Sequence, residues 1–471
     1  MPHTTRHALV TRQPNLPRAR PTDVGVDPSG VDAFLTATAE LELHSLMLLR
    51  HGRVAAEGWY APYEPDRVHL LYSLSKSFNS TAVGFAVAEG LVSLDDRVLD
   101  HFGELAEVCH PELRDLRLRH VLSMASGHGE DLLNRPDLLA ASADESGRYD
   151  LVRLLLTSAP QAAPGTLFAY NQPASFTAGA IVQKVTGQSL TDYLRPRLFD
   201  PLGIEPGHWQ TDRSGRELGF SGLHLTTEAL AAFGQFLLQR GRWGTQQLLP
   251  QAWFDEACSP QIDTAGQENP DWSQGYGFQF WIGTHGFRGD GAFGQFCVML
   301  PDHDAVLGTT SATLDMQAIL AAAWEHLLPA FDRSGPAGGS DADALQDRLG
   351  SLAVDRPAMT PITAERELSV RSTIEWVSGA VIGPEELTLV INGSPHVLPC
   401  AADQWLPGDW PEGRPVATIG GTHDERVWAC VALIDTPHRI LLVEDAEGLV
   451  SIDWNIPPLG SLNPNGTGGR V

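Results

Sequence analysis

Long apolar runs and basic clusters are both missing from this sequence. No stretch approaches the ~18 consecutive apolar residues of a membrane-spanning helix, and the basic first segment, MPHTTRHALVTRQPNLPRARPTD, lacks the apolar core of a secretory signal. Aspartate and glutamate (58 together) outnumber lysine and arginine (32), which leaves a formal net charge of -26. So acidic a chain repels nucleic acid and anionic membranes. The composition therefore predicts a cytoplasmic protein that binds neither.

Metal and disulfide patterns are missing as well. The five cysteines are odd in number, far apart and form no C-x-x-C, and the seventeen histidines form no H-E-x-x-H or H-x-H pattern. We therefore expect buried free thiols, no metal and no cofactor. The lack of a G-x-S-x-G elbow and of a G-x-x-x-x-G-K-[ST] loop argues against an α/β-hydrolase and against a phosphate-loop protein.

Apolar residues are plentiful, at 42% of the chain, and they follow two kinds of pattern. SLMLLRHGRVAAEGWY alternates like two short strands with a turn at residues 50–53, and strand character returns in GYGFQFWIG, QFCVMLP and AVLGTTSA. Between these, residues from about 90 to 270 carry mainly helical patterns such as LTTEALAAFGQFLLQRG. The predicted fold class is α+β: an antiparallel sheet flanked by helices, with a helical subdomain inserted in it.

A change of pattern divides the chain into two domains. Residues 1–331 hold the mixed pattern, and DRSGPAGGSDADA, at 332–344, is a linker rich in glycine, serine and aspartate. A candidate helix, DALQDRLGSLAV, starts at the end of this linker, and residues 345–471 continue with short alternating segments such as ELTLVING and RILLVED. We predict a small, separable β-rich C-terminal domain that lies outside the chemistry of the first domain. The sequence indicates no role for it.

The first chemical motif is Ser73-Leu74-Ser75-Lys76, an S-x-x-K pattern where an extended segment turns into a helix. Residues three apart share a helix face, so the Ser73 hydroxyl and the Lys76 amine can meet. A serine hydroxyl is a poor nucleophile until a base takes its proton, and a buried lysine can be that base because burial disfavours its charged form. The helical segment is expected to stop at Gly90.

A second motif, PGTLFAYNQ at residues 164–172, contains Tyr170 and precedes another helical segment. Together with S-x-x-K, RHVLSMASGH, AIVQKVTG and LRPRLFDPLGI, this motif resembles the β-lactamase-related serine hydrolases. That family includes class C β-lactamases, D-alanyl-D-alanine peptidases, esterases and nylon-oligomer hydrolases. The resemblance covers roughly residues 25–331 and leaves the C-terminal domain unexplained.

The resemblance implies roles for individual residues. It makes Ser73 the nucleophile, Lys76 the motif lysine, and Tyr170 the tyrosine that relays a proton to the leaving group, as a tyrosinate or by sharing a proton with Lys76. The family has asparagine where this chain has Gln172, so either Gln172 or its neighbour Asn171 would supply the amide that contacts the substrate.

The third motif departs further from the family, which usually shows Lys-Thr-Gly or His-x-Gly on the strand lining the cleft. Here the triplet is Gly289-Asp290-Gly291, so the cation is missing, and Asp290 and Gly291 would contact the substrate. The resemblance makes the N–H groups of Ser73 and Ala292 the oxyanion hole. Because neighbours on a strand alternate faces, Arg288 and Asp290 share one side, where they could pair. Nearby aromatic residues either line an acyl pocket or belong to the core: Trp272, Tyr276, Phe278, Phe280 and Trp281.

The predicted function is a serine hydrolase that cleaves a small ester or amide through a Ser73 acyl-enzyme. A β-lactamase or D-amino-acid peptidase on the same site is the first alternative, against which the missing cation and missing signal segment argue. A catalytically inactive binding protein that uses the cleft is the second, against which the intact set of Ser73, Lys76 and Tyr170 argues. The substrate and the oligomeric state remain open.

Overall fold

The structure is a computed structural model and describes residues 13–143, 149–331 and 339–460. Its strands, in chain order, are β1 Leu43–Arg50, β2 Arg53–Trp59, β3 His69–Leu70, β4 His224–Leu225, β5 Arg242–Trp243, β6 Gln246–Gln247, β7 Trp281–Gly283, β8 Gly286–Gly291, β9 Gln295–Leu300, β10 Ala305–Ser311, β11 Arg366–Ser372, β12 Val377–Ile382, β13 Glu386–Ile391, β14 Ser394–Pro399, β15 Leu406–Trp410, β16 Arg414–His423, β17 Arg426–Ala432, β18 Arg439–Glu444 and β19 Leu449–Trp454.

The helices divide between the two ends of the first domain and its middle. In chain order they are α1 Pro28–Ala37, α2 Ser75–Ala88, α3 Val98–His101, α4 Leu118–Leu122, α5 Pro136–Ala141, α6 Leu151–Thr157, α7 Gln172–Thr186, α8 Leu190–Leu194, α9 Asp200–Leu202, α10 Thr227–Leu238, α11 Gln251–Ala257, α12 Met316–Ala322 and α13 Gly339–Gly350. Helices α3 to α11 fill the interval predicted to be mainly helical.

A six-stranded antiparallel sheet in the order β2-β1-β10-β9-β8-β7 forms the centre of the first domain. Strands β1 and β2 form the predicted hairpin, with β2 at the sheet edge. Its two turn residues, His51 (φ 52°) and Gly52 (φ 69°), both have the positive φ of a type I′ turn, whose twist matches that of the strands it joins. The chain leaves the sheet after β2 and returns at β7, so the helical region is an insertion in it.

Both faces of the sheet are covered, because alternate side chains of β1 enter different cores. Met47 and Leu49 pack with the helical insertion, and Leu46 and Leu48 pack with the layer formed by α1, α12 and α13. All eight residues of β1 are buried for this reason. The observed fold is the predicted one: helices on both sides of an antiparallel sheet, a helical insertion and a separate β-rich C-terminal domain.

The C-terminal domain is a nearly closed nine-stranded sheet, in the order β14-β13-β12-β11-β19-β18-β17-β16-β15. Its first and last strands in the sequence, β11 and β19, pair in parallel, and its two edge strands approach each other where His396 Nε2 lies 2.7 Å from the carbonyl oxygen of Asp409. The interior is packed with aliphatic residues and Trp410. Helix α13 begins inside the interval predicted as a linker, and its Leu345 and Leu349 pack on the first domain. Residues 332–338 of that linker lie outside the described residues.

In the part of the chain that the structure describes, no helix is long and apolar enough to cross a bilayer.

Candidate active site

Ser73 lies in a tight turn that leads into α2. The chain arrives as the short strand β3, Tyr72 then adopts a left-handed backbone conformation with φ of 47°, and one helical turn over Tyr72–Leu74 precedes α2. The helix thus begins two residues later than the sequence predicts, and Gly90 (φ 70°) follows its end as predicted. Ser73 is partly exposed, whereas Lys76, in the first turn of α2, is buried.

The Lys76 amine touches three oxygen atoms. Its Nζ lies 3.0 Å from Ser73 Oγ, 2.6 Å from Gln172 Oε1 and 2.8 Å from the carbonyl oxygen of Phe220. A neutral amine has two N–H groups and one lone pair. With the two N–H groups donated to the amide and carbonyl oxygens, the lone pair is left to accept the Ser73 hydroxyl proton.

Burial lowers the pKa of Lys76 to about 7, against the opposing charges of Asp131 and Asp290, which raise it. The amine therefore reaches its neutral form near neutral pH, far below the usual range of a lysine. Asp131 receives the backbone N–H of Gln172 at 3.2 Å and caps the turn that follows it. Sequence reasoning missed both Asp131 and Phe220; Asp131 stands three residues after the RHVLSMASGH segment that carries the resemblance.

Tyr170 closes the other side of Lys76. The Lys76 Nζ lies 4.7 Å from the centre of the Tyr170 ring, and this ring stacks on Trp281 with 5.8 Å between centroids and 11° between planes. Burial and the charge of Asp290 raise the pKa of the Tyr170 phenol, while a hydrogen bond with Ser73 lowers it less. These shifts favour a neutral Lys76 amine beside a protonated Tyr170 over the tyrosinate considered from the sequence, because the pKa of the lysine lies far below that of the phenol.

The question of Asn171 or Gln172 has a clear geometric answer. Gln172, the first residue of α7, directs its amide oxygen to Lys76. Asn171 is fully buried, and its Nδ2 lies 3.5 Å from Ser126 Oγ, away from the lysine. Of the two amides, Gln172 is therefore the one that contacts Lys76.

Strand β8 lies edge-on against the Ser73 turn because its glycines allow close approach. A Cβ atom at Gly289 would lie 2.5 Å from Ser77 Oγ, and one at Gly291 would overlap the carbonyl of Leu71. A side chain at position 289 therefore requires Ser77 to move. Ala292 follows directly, partly buried and packed beside Tyr72 and Phe293.

Arg288 and Asp290 pair as strand alternation predicts. Arg288 Nε lies 3.2 Å from Asp290 Oδ2, and Arg288 Nη1 donates to the backbone oxygen of Asp271 at 2.7 Å. The guanidinium also lies over the Trp272 ring at 4.3 Å. Arg288 is fully buried, so it does not turn into the cleft as a free cation.

The aromatic residues proposed for an acyl pocket separate into two groups. Tyr276 and Trp281 are buried in one cluster with Met124, against which Phe168, Tyr170 and Trp272 pack. Phe278 and Phe280 belong instead to the main core of the first domain. Tyr276 and Trp281 are therefore the ones that adjoin Tyr170, and Trp272 contacts Trp281.

One contact runs against the expectation that the C-terminal domain lies outside the chemistry. Tyr72, which precedes Ser73, has its hydroxyl 2.5 Å from Nε2 of His438, a residue of the C-terminal domain. Among the described residues, no group of three or more histidine, cysteine, aspartate or glutamate side chains is placed to hold a metal ion.

An antiparallel sheet with a helical insertion, and a serine–lysine pair on the first helix after the hairpin, define the architecture of the penicillin-binding proteins and β-lactamases, as the sequence motifs imply. The chain belongs to the β-lactamase family, whose model matches residues 36–328.

Two curated relatives and one solved structure illustrate the similarity. The chain is similar to the lovastatin esterase of Penicillium rubens, with 30% identity over 197 residues that cover 38% of this chain and 49% of the esterase. It is similar to the 6-aminohexanoate-dimer hydrolase of Paenarthrobacter ureafaciens, with 25% identity over 262 residues that cover 54% of this chain and 62% of the relative. The match thus spans less than two thirds of either relative. A solved structure named "Putative 6-aminohexanoate-dimer hydrolase from Bacillus anthracis" superposes with a TM-score of 0.52 at 20% identity, covering 68% of this chain and 88% of that one, which supports the fold.

Proposed function

We propose that this protein is a serine hydrolase that cleaves an ester or amide through an acyl-enzyme on Ser73. The observation that carries the proposal is the Lys76 amine, which is buried, has its pKa lowered by burial to about 7 and lies 3.0 Å from Ser73 Oγ. A buried amine that loses its proton near neutral pH is a suitable general base for a serine hydroxyl.

In the proposed first step, Ser73 Oγ attacks the substrate carbonyl carbon while its proton passes to the Lys76 lone pair. The carbonyl oxygen becomes an oxyanion, which the N–H groups of Ser73 and Ala292 receive. Such preorganised donors contribute a large share of catalysis in acyl transfer. The close packing of β8 on the Ser73 turn, through Gly289 and Gly291, supports this placement of Ala292.

In the second step the tetrahedral intermediate expels its alcohol or amine. Tyr170, which stays protonated, donates its phenolic proton to the leaving atom and recovers one from the Lys76 ammonium. Water then enters, gives a proton to Lys76 and attacks the acyl carbon. As the second tetrahedral intermediate collapses, the Lys76 ammonium returns that proton to Ser73 Oγ, which releases the acid and restores both Ser73 and the neutral amine. Gln172 holds the amine in place throughout and has an amide N–H₂ to offer the substrate.

The class of substrate is supported by the names of the relatives and by the charge of the site. One relative is named as an esterase and another as a hydrolase of an aminohexanoate dimer. A β-lactamase or a D-amino-acid peptidase would need a cation for the substrate carboxylate, and the cation of β8, Arg288, is already paired with Asp290. We therefore favour an esterase or amidase acting on a small molecule without a carboxylate near the scissile bond. The cytoplasmic location stays a prediction.

A serine-directed label tests the proposal. A fluorophosphonate should modify wild-type protein at Ser73, as read by peptide mass spectrometry, and Ser73→Ala should lose both labelling and nitrophenyl ester hydrolysis with the fold intact by circular dichroism. The matched control is Ser80→Ala, a buried serine further along α2, which should keep its activity. More than a tenth of wild-type activity in Ser73→Ala would remove Ser73 as the nucleophile.

A further inference from the structure

The loop between β17 and β18, residues 433–438, reaches from the C-terminal domain to the turn that carries Ser73. Tyr72 OH lies 2.5 Å from His438 Nε2, and the backbone N–H of Leu70 donates to the carbonyl oxygen of Asp435 at 2.8 Å. Arg414 pairs with Asp435 at 3.1 Å and so ties this loop to its own domain. The C-terminal domain thus holds the segment that enters the Ser73 turn at two residues, Leu70 and Tyr72.

The direction of the Tyr72–His438 hydrogen bond follows from the second ring nitrogen of the histidine. His438 Nδ1 lies 2.9 Å from the carbonyl oxygen of Ile456, which can only accept, so Nδ1 carries the proton and Nε2 accepts. Burial lowers the pKa of His438 to about 4 and raises that of Tyr72, so both groups are neutral. Tyr72 therefore donates its hydroxyl proton to His438.

Two residues with strained backbone conformations pack their rings against His438. Tyr72 (φ 47°) and Phe293 (φ 70°) both adopt the left-handed backbone region, where bulky residues are rare. Their rings meet edge to face with 5.3 Å between centroids, and each ring meets that of His438 in the same way, at 5.9 and 5.6 Å. A strained conformation persists only where the surrounding structure holds it.

The positions of these two residues in the sequence connect them to the oxyanion. Tyr72 immediately precedes Ser73, and Phe293 immediately follows Ala292. The backbone conformation at Tyr72 therefore sets the direction of the Ser73 N–H, and the anchoring of Phe293 fixes the chain at Ala292. The two N–H groups assigned to the oxyanion hole are thus each next to a residue, Tyr72 or Phe293, whose ring packs against His438.

We infer that His438 is a positioning residue: through Tyr72 and Phe293, the C-terminal domain orients the Ser73 turn and the oxyanion donors. The inference rests on the proposed function. It gives the β-rich domain a task in the reaction of the first domain, although His438 itself does not touch the reacting atoms.

The test compares two tyrosines that bond to the same loop in the full-length protein. Tyr72→Phe removes only the hydroxyl that reaches His438, whereas Tyr63→Phe removes a similar buried hydroxyl that donates to the Thr436 carbonyl at 3.3 Å, away from Ser73. With 4-nitrophenyl butyrate, Tyr72→Phe should lower kcat about tenfold or more and leave KM within about twofold, because misplaced groups slow the chemical step. Tyr63→Phe should keep kcat within about twofold.

Variants of the histidine complete the experiment. His438→Leu should lose as much kcat as Tyr72→Phe, the double variant should lose no more than either, and His438→Gln, which restores an acceptor, should recover part of the loss. Hydrogen exchange of the peptide spanning residues 70–76 should be faster in Tyr72→Phe than in Tyr63→Phe.

Equal losses in the two tyrosine variants would overturn the inference, because the loop would then act through general docking. So would a Tyr72→Phe variant with unchanged kcat and exchange. A wild-type protein that the fluorophosphonate does not label at Ser73 would contradict the proposed function instead, and the exchange comparison would still decide on positioning.

Discussion

At the scale of single residues, the proposed chemistry depends on the protonation state of Lys76. Only the neutral amine can accept the Ser73 proton, and the pKa of about 7 places half of the protein in that form near neutral pH. We expect kcat/KM for a neutral ester to be constant at high pH and to fall about tenfold per unit below pH ~7. A pH profile from 5 to 9 measures this; a flat profile across pH 7 would exclude Lys76 as the base.

Gln172 offers a way to move that pH limb. Gln172→Glu keeps the shape of the side chain but places a carboxylate where the amide oxygen now lies 2.6 Å from Lys76 Nζ. An opposite charge at that distance favours the ammonium, so the acid limb should move up by about one unit or more. Gln172→Asn, which is neutral, should lower kcat without moving the limb. A limb that stays at the same pH in Gln172→Glu would contradict the assignment.

In the proposed function, the Arg288–Asp290 pair determines which substrate charge the site accepts. We expect a neutral ester to be hydrolysed with at least about tenfold higher kcat/KM than its carboxylate analogue, because a carboxylate entering the cleft meets Asp290 and a guanidinium that is already engaged. Asp290→Asn frees Arg288 and should shift the preference toward the carboxylate.

The double variant Arg288→Gln/Asp290→Asn is the control for that substitution, since it removes both charges and leaves none buried without a partner. Its preference should lie between those of the wild type and Asp290→Asn. Faster turnover of the carboxylate by the wild type, or an unchanged ratio in Asp290→Asn, would revive the β-lactamase alternative.

At the scale of elements, β8 packs closely against α2 and the turn before it because two of its residues, Gly289 and Gly291, are glycines. A Cβ at Gly289 would lie 2.5 Å from Ser77 Oγ, so Gly289→Ala should push the strand away from the Ser73 turn. We expect about tenfold lower kcat and a lower melting temperature, as overpacking of a tight interior typically costs 1–3 kcal/mol.

Ser77→Ala provides the matched rescue, because it removes the atom that the new methyl group would meet. The Gly289→Ala/Ser77→Ala protein should regain part of the lost kcat, although Ser77→Ala alone gives up a hydrogen bond to the Gln279 carbonyl. Strictly additive losses in the double variant would mean that the two positions do not contact each other.

Sequence patterns predicted those contacts of the site that join residues close together in the sequence. The three-residue spacing of Ser73 and Lys76, and the alternation that pairs Arg288 with Asp290, follow from the geometry of one helix and one strand. The choice between Asn171 and Gln172 did not, because it depends on the residue at which α7 begins, and helix boundaries are poorly determined by local sequence. Asp131 was missed because it acts across space, on Gln172.

At the scale of the whole molecule, a partly buried charged contact joins the two domains. Glu42, beside β1, accepts from Arg439 Nε at 2.9 Å and from Asn455 Nδ2 at 2.8 Å, both in the C-terminal domain. Burial alone would raise the pKa of Glu42, but a hydrogen bond with His44 and the charge of Arg439 outweigh it and hold the pKa at about 2.

This junction should show itself in acid. Since the folded-state pKa lies below the usual value of 4.5, the stabilisation from Glu42 is complete above pH ~4.5 and is lost as the pH falls toward 2. The pKa difference corresponds to about 3 kcal/mol in the free energy of unfolding. Urea unfolding at pH 7 and pH 3, followed by tryptophan fluorescence, measures the part that is lost by pH 3, about 2 kcal/mol, because pH 3 lies about 1.5 units below the usual pKa. Glu42→Gln should be less stable at pH 7 and less sensitive to acid; an unchanged acid sensitivity would place the stabilisation elsewhere.

The organisation of the whole chain was predictable only in outline. The change from mixed to strand-like patterning predicted a second domain, and the structure has one. Its approach to Ser73 was not predictable, because Tyr72 and His438 lie 366 positions apart and neither belongs to a motif. A contact between two ordinary residues at that separation leaves no local pattern.

The parallel pairing of β11 with β19 has a consequence for the order of assembly. Ser73 leaves the ribosome early during synthesis. The nine-stranded sheet of the C-terminal domain is incomplete until β19, the last of the described strands, pairs with β11. His438 directly precedes β18, and Ile456, whose carbonyl oxygen contacts His438, follows β19. On the inferred role of His438, a nascent or interrupted chain that ends before β19 therefore carries Ser73 and Lys76 without the completed C-terminal domain that orients the Ser73 turn.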